Sequence, residues 1–155
     1  MNDAKPQPEA LFYHLESRPL DQVLPTLVER TLERGWRAVI QAASEDRVEA
    51  IDTLLWTYRD DSFLPHGTAK DGNLTAHPVF VTAGVQNPNG ATVRFLVDGA
   101  AAEDFTGYQR FVIMFDGNDP EAVATARTQW AAAKAAGCAV TYWQQTARGG
   151  WERKA

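Results

Sequence analysis

The chain has 155 residues, of which 45% are hydrophobic and 23% charged, and its mean hydropathy is -0.35. That is enough for one ordinary domain with its own core, and too apolar for a disordered chain. A formal net charge of -5 and a pI near 5.1 disfavour a broad nucleic-acid grip and direct, strong nucleic-acid binding, while leaving room for a small basic patch.

The opening "MNDAKPQPEA" lacks the basic and apolar blocks of a secretion signal, so residues 1–9 are expected to be a disordered tail. "ALFYHL", Ala10 to Leu15, suits a buried strand. "PLDQVLPTLVERTLERG" follows as a helix, with Leu20, Val23, Leu24, Leu27 and Val28 on one side and Gly35 as a C-terminal stop. Pro25 is easiest to tolerate in a first turn, so the regular helix is expected to begin near Leu24. "WRAVIQAAS" reads as a second strand. Ser44 then caps a helix with acids in its first turn and a stripe of Val48, Ile51 and Leu55.

"PHGTAKDGNLTAHP" is a turn-rich connection, longer than most. "VFVTA" and "ATVRFLVDG" read as strands on either side of a turn cluster, with an antiparallel pair allowed over residues 79–99. "FVIMFDG" is a continuous apolar run, as in a central strand covered on both faces. Asp119 and Pro120 open an Ala-rich helix that ends at Gly137, "CAVTYWQ" is a last strand, and residues 147–155 read as a basic, fraying tail. Alternating strands and helices give a single three-layer α/β domain over residues 10–146, around a mainly parallel or mixed sheet.

Several chemistries lack their signatures. Neither glycine-rich phosphate loop is present, and "ESRPLDQ" follows the first strand without a glycine. His14, His66 and His77 show no paired-ligand spacing, so no metal and no cofactor are expected. The single cysteine, Cys138, excludes an intrachain disulfide, fits a reducing cytoplasm, and opens an apolar strand as a small buried thiol would. Asp60 with Asp61, and Glu103 with Asp104, read as solvated charge. No apolar run is long enough for a membrane span. These readings favour a cytoplasmic protein that is not an enzyme. A nucleotide-binding domain or an enzyme with an unorthodox site is the alternative.

Four segments, "FYHL", "VLPTLVERTLERGWRAVI", "LLWTYRDDSFLPHGTAKDGN" and "WAAAKAAG" with the strand after it, resemble the chi subunit family of bacterial DNA polymerase III. The resemblance runs from about Leu11 to Trp143 and is most specific at Trp56 and "SFLPHG". It implies a Rossmann-like, non-catalytic adaptor of the clamp-loader assembly. Such an adaptor binds the psi subunit and the C-terminal tail of the single-stranded-DNA-binding protein.

Two surfaces carry over. The psi surface, for which a repair helicase competes, corresponds to Trp56, Phe63, Leu64, Pro65 and His66. A rigid aromatic pair beside a Pro-stiffened turn would be a preformed anchor. The plainer reading has Trp56 covering the core and Phe63 folding back as a plug. The tail surface corresponds to Val123, Arg127, Trp130 and Lys134, which share one helical face. Arg127 would take the tail's terminal carboxylate and Trp130 its aromatic ring. Val123 and Ala131 stand where some relatives have Lys, a departure that Arg148, Arg153 and Lys154 could offset. The plainer reading has Val123 and Trp130 in the buried stripe, although Ala122, Ala126, Ala133 and Ala136 are also credible core contacts.

Overall fold

A computed structural model describes residues 8–58, 64–102, 104–105 and 107–155. Phe63, Asp60, Asp61 and Glu103, all weighed above, lie outside the described residues, as does most of the N-terminal segment.

In chain order the elements are β1 (Glu9–Leu15), α1 (Leu20–Glu33), β2 (Ala38–Gln41), α2 (Glu45–Thr57) and β3 (Gly67–Thr68). A 3-10 turn (Ala69–Asp71) leads to β4 (Val79–Thr82) and β5 (Val93–Leu96). β6 (Arg110–Asp116), α3 (Pro120–Ala135), β7 (Ala139–Gln145) and β8 (Trp151–Arg153) complete the chain. The eight strands form one sheet in the order β3-β4-β2-β5-β6-β1-β7-β8. Every pairing is parallel except that of β7 with β8.

Strand alternation sorts side chains to two faces. Leu15, Val112 and Met114 join Val23, Leu24 and Val28 of α1 and Val48, Ile51 and Leu55 of α2 on the first face. Phe12, Phe111, Ile113 and Phe115 join Ala126 and Ala133 of α3 on the second. Helices on both faces of a mainly parallel sheet make a three-layer Rossmann-like fold, with β6 buried on both sides as its continuous apolar run requires.

Three expectations need correction. α1 starts at Leu20, with Pro19 as its N-cap residue, so Pro25 lies inside the helix. Proline there removes one hydrogen bond, but its ring is buried, which offsets part of the loss. β4 and β5 are not an antiparallel pair, because both lie parallel to β2 on its opposite sides. Asn89 serves this crossover by donating its amide to the carbonyls of Ala38 (3.1 Å) and His77 (2.9 Å). The end expected to fray carries β8, joined to β7 by a turn in which Gly149 takes a φ of 86°.

Ser44 accepts a hydrogen bond from the Arg47 amide and Asp119 from the Glu121 amide, so both sequence-predicted caps are formed.

Candidate functional site

α3 crosses the second face of the sheet, and its two sides have different partners. Ala126 and Ala133 are buried against the sheet, whereas Ala122 is half-buried and Ala136 exposed at the C-cap. Small side chains let the helix approach closely, and the neighbouring side of α3 carries the four candidate residues. Val123 is half-buried against the core, Trp130 is half-buried, and Arg127 and Lys134 are exposed.

Trp130 rests edge-on against Phe12, with centroids 5.2 Å apart, and lies 6.1 Å from Tyr142. The Lys134 ammonium sits 6.0 Å from the Trp130 ring centroid. The Arg127 charge acts on the Tyr142 hydroxyl and favours its ionisation, but burial is the larger effect and pushes the phenol above its ordinary value. That hydroxyl also meets Nδ1 of His14 in a close hydrogen bond. The result is an aromatic shelf with one edge buried and the other lined by cations.

Tyr142 and His14 were not singled out from the sequence for this shelf. They reach it through the parallel pairing of β1 with β7, which places Phe12 beside Tyr142. β8 adds Lys154. Its amide donates to the Tyr142 carbonyl (2.8 Å), so Lys154 lies opposite Tyr142 on the α3 face, where it meets Glu152 at 3.3 Å. Arg153 pairs opposite Trp143 and faces the other way. Arg148 is exposed in the turn.

The second candidate surface lies at the end of α2. Trp56 is 55% exposed. Its ring stands on His66, centroids 4.9 Å apart. His66 is buried and fixed from two sides, Nδ1 lying 2.7 Å from the Leu64 carbonyl and Nε2 3.0 Å from an Asp52 carboxylate oxygen. Leu64 is buried in the main core and Pro65 is half-buried. Trp56 is therefore the outward part of this group, with His66 beneath its ring and the Leu64 carbonyl holding His66 in place.

A crevice of about 760 Å³ opens at the C-terminal ends of β1, β5 and β6. Connections leave β1 and β6 in opposite directions across the sheet, so this is the switch point at which open α/β sheets bind ligands. Glu16, Asp21, Asp98, Asp116, Asp119 and Glu121 line it, against Arg18 and Arg47. An excess of carboxylates repels phosphate, the opposite of what a nucleotide needs. Among the described residues, no group of His, Cys, Asp or Glu could hold a metal ion. Burial pushes the Cys138 thiol up, away from the thiolate.

The chain is similar to known proteins over most of its length. The family model for the DNA polymerase III chi subunit, HolC, matches residues 8–141. A relative from Rickettsia prowazekii (strain Madrid E), named a probable DNA polymerase III subunit chi, is 28% identical over 86 residues, which is 56% of this chain and 52% of the relative. The chain thus spans about half the length of that curated relative. Because the matched family span runs from the start of β1 into β7 and takes in every helix, the chain belongs to the DNA polymerase III chi subunit family.

Proposed function

We propose that the protein is a non-catalytic accessory subunit of the DNA polymerase III holoenzyme. It links the clamp loader, through psi, to the acidic C-terminal tail of the single-stranded-DNA-binding protein during replication. The observation that carries this reading is the α3 shelf, where Arg127 and Lys134 bracket the half-buried Trp130. A peptide ending in an aromatic residue with a free carboxylate matches that order of groups. The ring covers the Trp130 and Tyr142 edge, Arg127 takes the carboxylate through charge-assisted hydrogen bonds, and Lys134 attracts the acidic residues before it.

Trp56, its ring standing on the buried His66, supplies the second contact for psi, or for a repair helicase competing for the same anchor. A held ring loses little freedom on docking. The acid-lined crevice favours this adaptor reading over a nucleotide-binding one.

Titration calorimetry at low salt with an acidic peptide ending in Asp-Phe tests the tail site. The expected dissociation constant is on the order of micromolar. Arg127→Ala should raise it about tenfold or more, and added salt should weaken it further. Absence of heat, or an Arg127→Ala variant that binds equally well, would overturn the assignment. In the same preparation, capture of psi should fail for Trp56→Ala and survive in Arg127→Ala.

A further inference from the structure

Among the described residues, the first face of the sheet is only partly covered. α1 packs chiefly over β2 and β6, and α2 over β3 and β4, while Leu15 of β1 joins the α1 core and Tyr13 and Trp151 pack at its margin, toward the β8 edge. On this strip the pairing register sets Tyr13 beside Trp143. Trp151 of β8 approaches Tyr13 edge-on at 4.8 Å. All three rings are half-buried, so each keeps some surface open to solvent.

The adjoining edge of α1 carries Arg30 and Arg34, one helical turn apart, and both are exposed. Neither pairs with a carboxylate among the described residues. Arg34 lies over the Trp36 ring, its guanidinium carbon 5.1 Å from the centroid, and the charges of Arg30 and Arg34 both reach the Tyr13 hydroxyl. Arg153 stands opposite Trp143 on the same face. The one acidic side chain that the three strands direct to this face, Glu9, is bonded to Arg110 at 2.9 Å.

The geometry points to a single-stranded nucleic-acid platform, with Tyr13, Trp143 and Trp151 meeting base faces and Arg30, Arg34 and Arg153 meeting phosphates. Aromatic rings on a sheet with cations along one side suit unpaired bases, because a duplex hides the base faces inside its stack. A chain of net charge -5 repels polyanions over most of its surface, which keeps contact at this strip weak and salt-sensitive. The platform lies on the opposite sheet face from Trp130, so a strand and a protein tail can be held together.

The test is fluorescence anisotropy of a labelled oligothymidine of about 15 nucleotides at low ionic strength, titrated with the full chain. Binding is expected. The double variant Arg30→Ala/Arg34→Ala should weaken it at least tenfold and lower the salt slope by about 1.4, the share of two phosphates on a single strand. Trp143→Ala should cost about tenfold, with Trp143→Phe retaining most of the affinity and controlling for folding. The double variant should still bind the acidic tail peptide, so failure here is separable from failure of the α3 site. No anisotropy change in the wild type, equal binding by the double variant, or displacement by polyglutamate as effective as by unlabelled oligothymidine would each overturn the proposal. The last outcome would mark the strip as a site for acidic protein segments instead.

Discussion

Arg94, on β5, is only 2% exposed. Its guanidinium donates to the Gln41 side chain (2.9 Å), the carbonyls of Gly84 (2.7 Å) and Gln86 (3.0 Å), and the Tyr108 hydroxyl (3.0 Å). These bonds hold the segment after β4 against β5 in a crossover that lacks a helix. Arg94→Leu should therefore destabilise the fold by about 3 kcal/mol, read from urea denaturation, because two carbonyls lose their donors. The tyrosines give a pH signature. Burial lifts Tyr13 and Tyr142 above the ordinary phenol value of 10.0. The native state keeps both protonated where the unfolded chain has begun to release them. Their contribution to stability is intact below pH 10.0 and is lost as pH rises through the higher native values. Absorbance at alkaline pH should show these two titrating late, together with a urea midpoint that falls only above the ordinary phenol range. At this scale the helical spacing of Arg127, Trp130 and Lys134 was legible, because residues three and four apart share a face. Tyr142 and His14 were not, since only strand pairing brings them together.

Elements show where local pattern suffices. α2 and α3 begin at the side-chain caps their sequences announce, and β6 is an apolar run because both its faces are covered. α1 departs because proline propensity is a local cost, offset in part by burial of the Pro25 ring and for the rest by the packing of Val23, Leu24 and Val28 on the same helix. β8 escaped notice because three residues, two of them charged, lack an alternating pattern long enough to read. Its signal was the Gly149-Gly150 turn, closed by the Gly150 amide on the Thr146 hydroxyl at 3.0 Å. The choice between a buried and an exposed Trp130 turned on which Ala residues face the sheet. Ala133 is 1% exposed, so Ala133→Leu should overpack the interface and cost about 2 kcal/mol by thermal or chemical denaturation. It should also push α3 outward and weaken tail binding. Ala136→Leu, at the exposed C-cap, should leave stability nearly unchanged.

Among the described residues the molecule is a mainly parallel sheet whose usual ligand crevice is lined by acids, while partly exposed aromatic groups lie on α3, at the end of α2 and toward the β8 edge of the sheet. Strand and helix alternation made the layers legible, but strand order depends on long-range pairing, and the acidity of the crevice on loops meeting from distant parts of the chain. With a net charge of -5, the proposed attraction of an acidic tail would rest on a local cationic patch working against the general field. The terminal carboxylate is consequently the group on which recognition should turn. The most direct measurement compares two peptides of identical acidic sequence ending in Phe, one with a free carboxylate and one amidated, by calorimetry at equal ionic strength. The account predicts binding of the free acid at least about tenfold tighter, with that preference abolished in Arg127→Ala. Equal affinity for the two peptides, or a preference unchanged by Arg127→Ala, would contradict it.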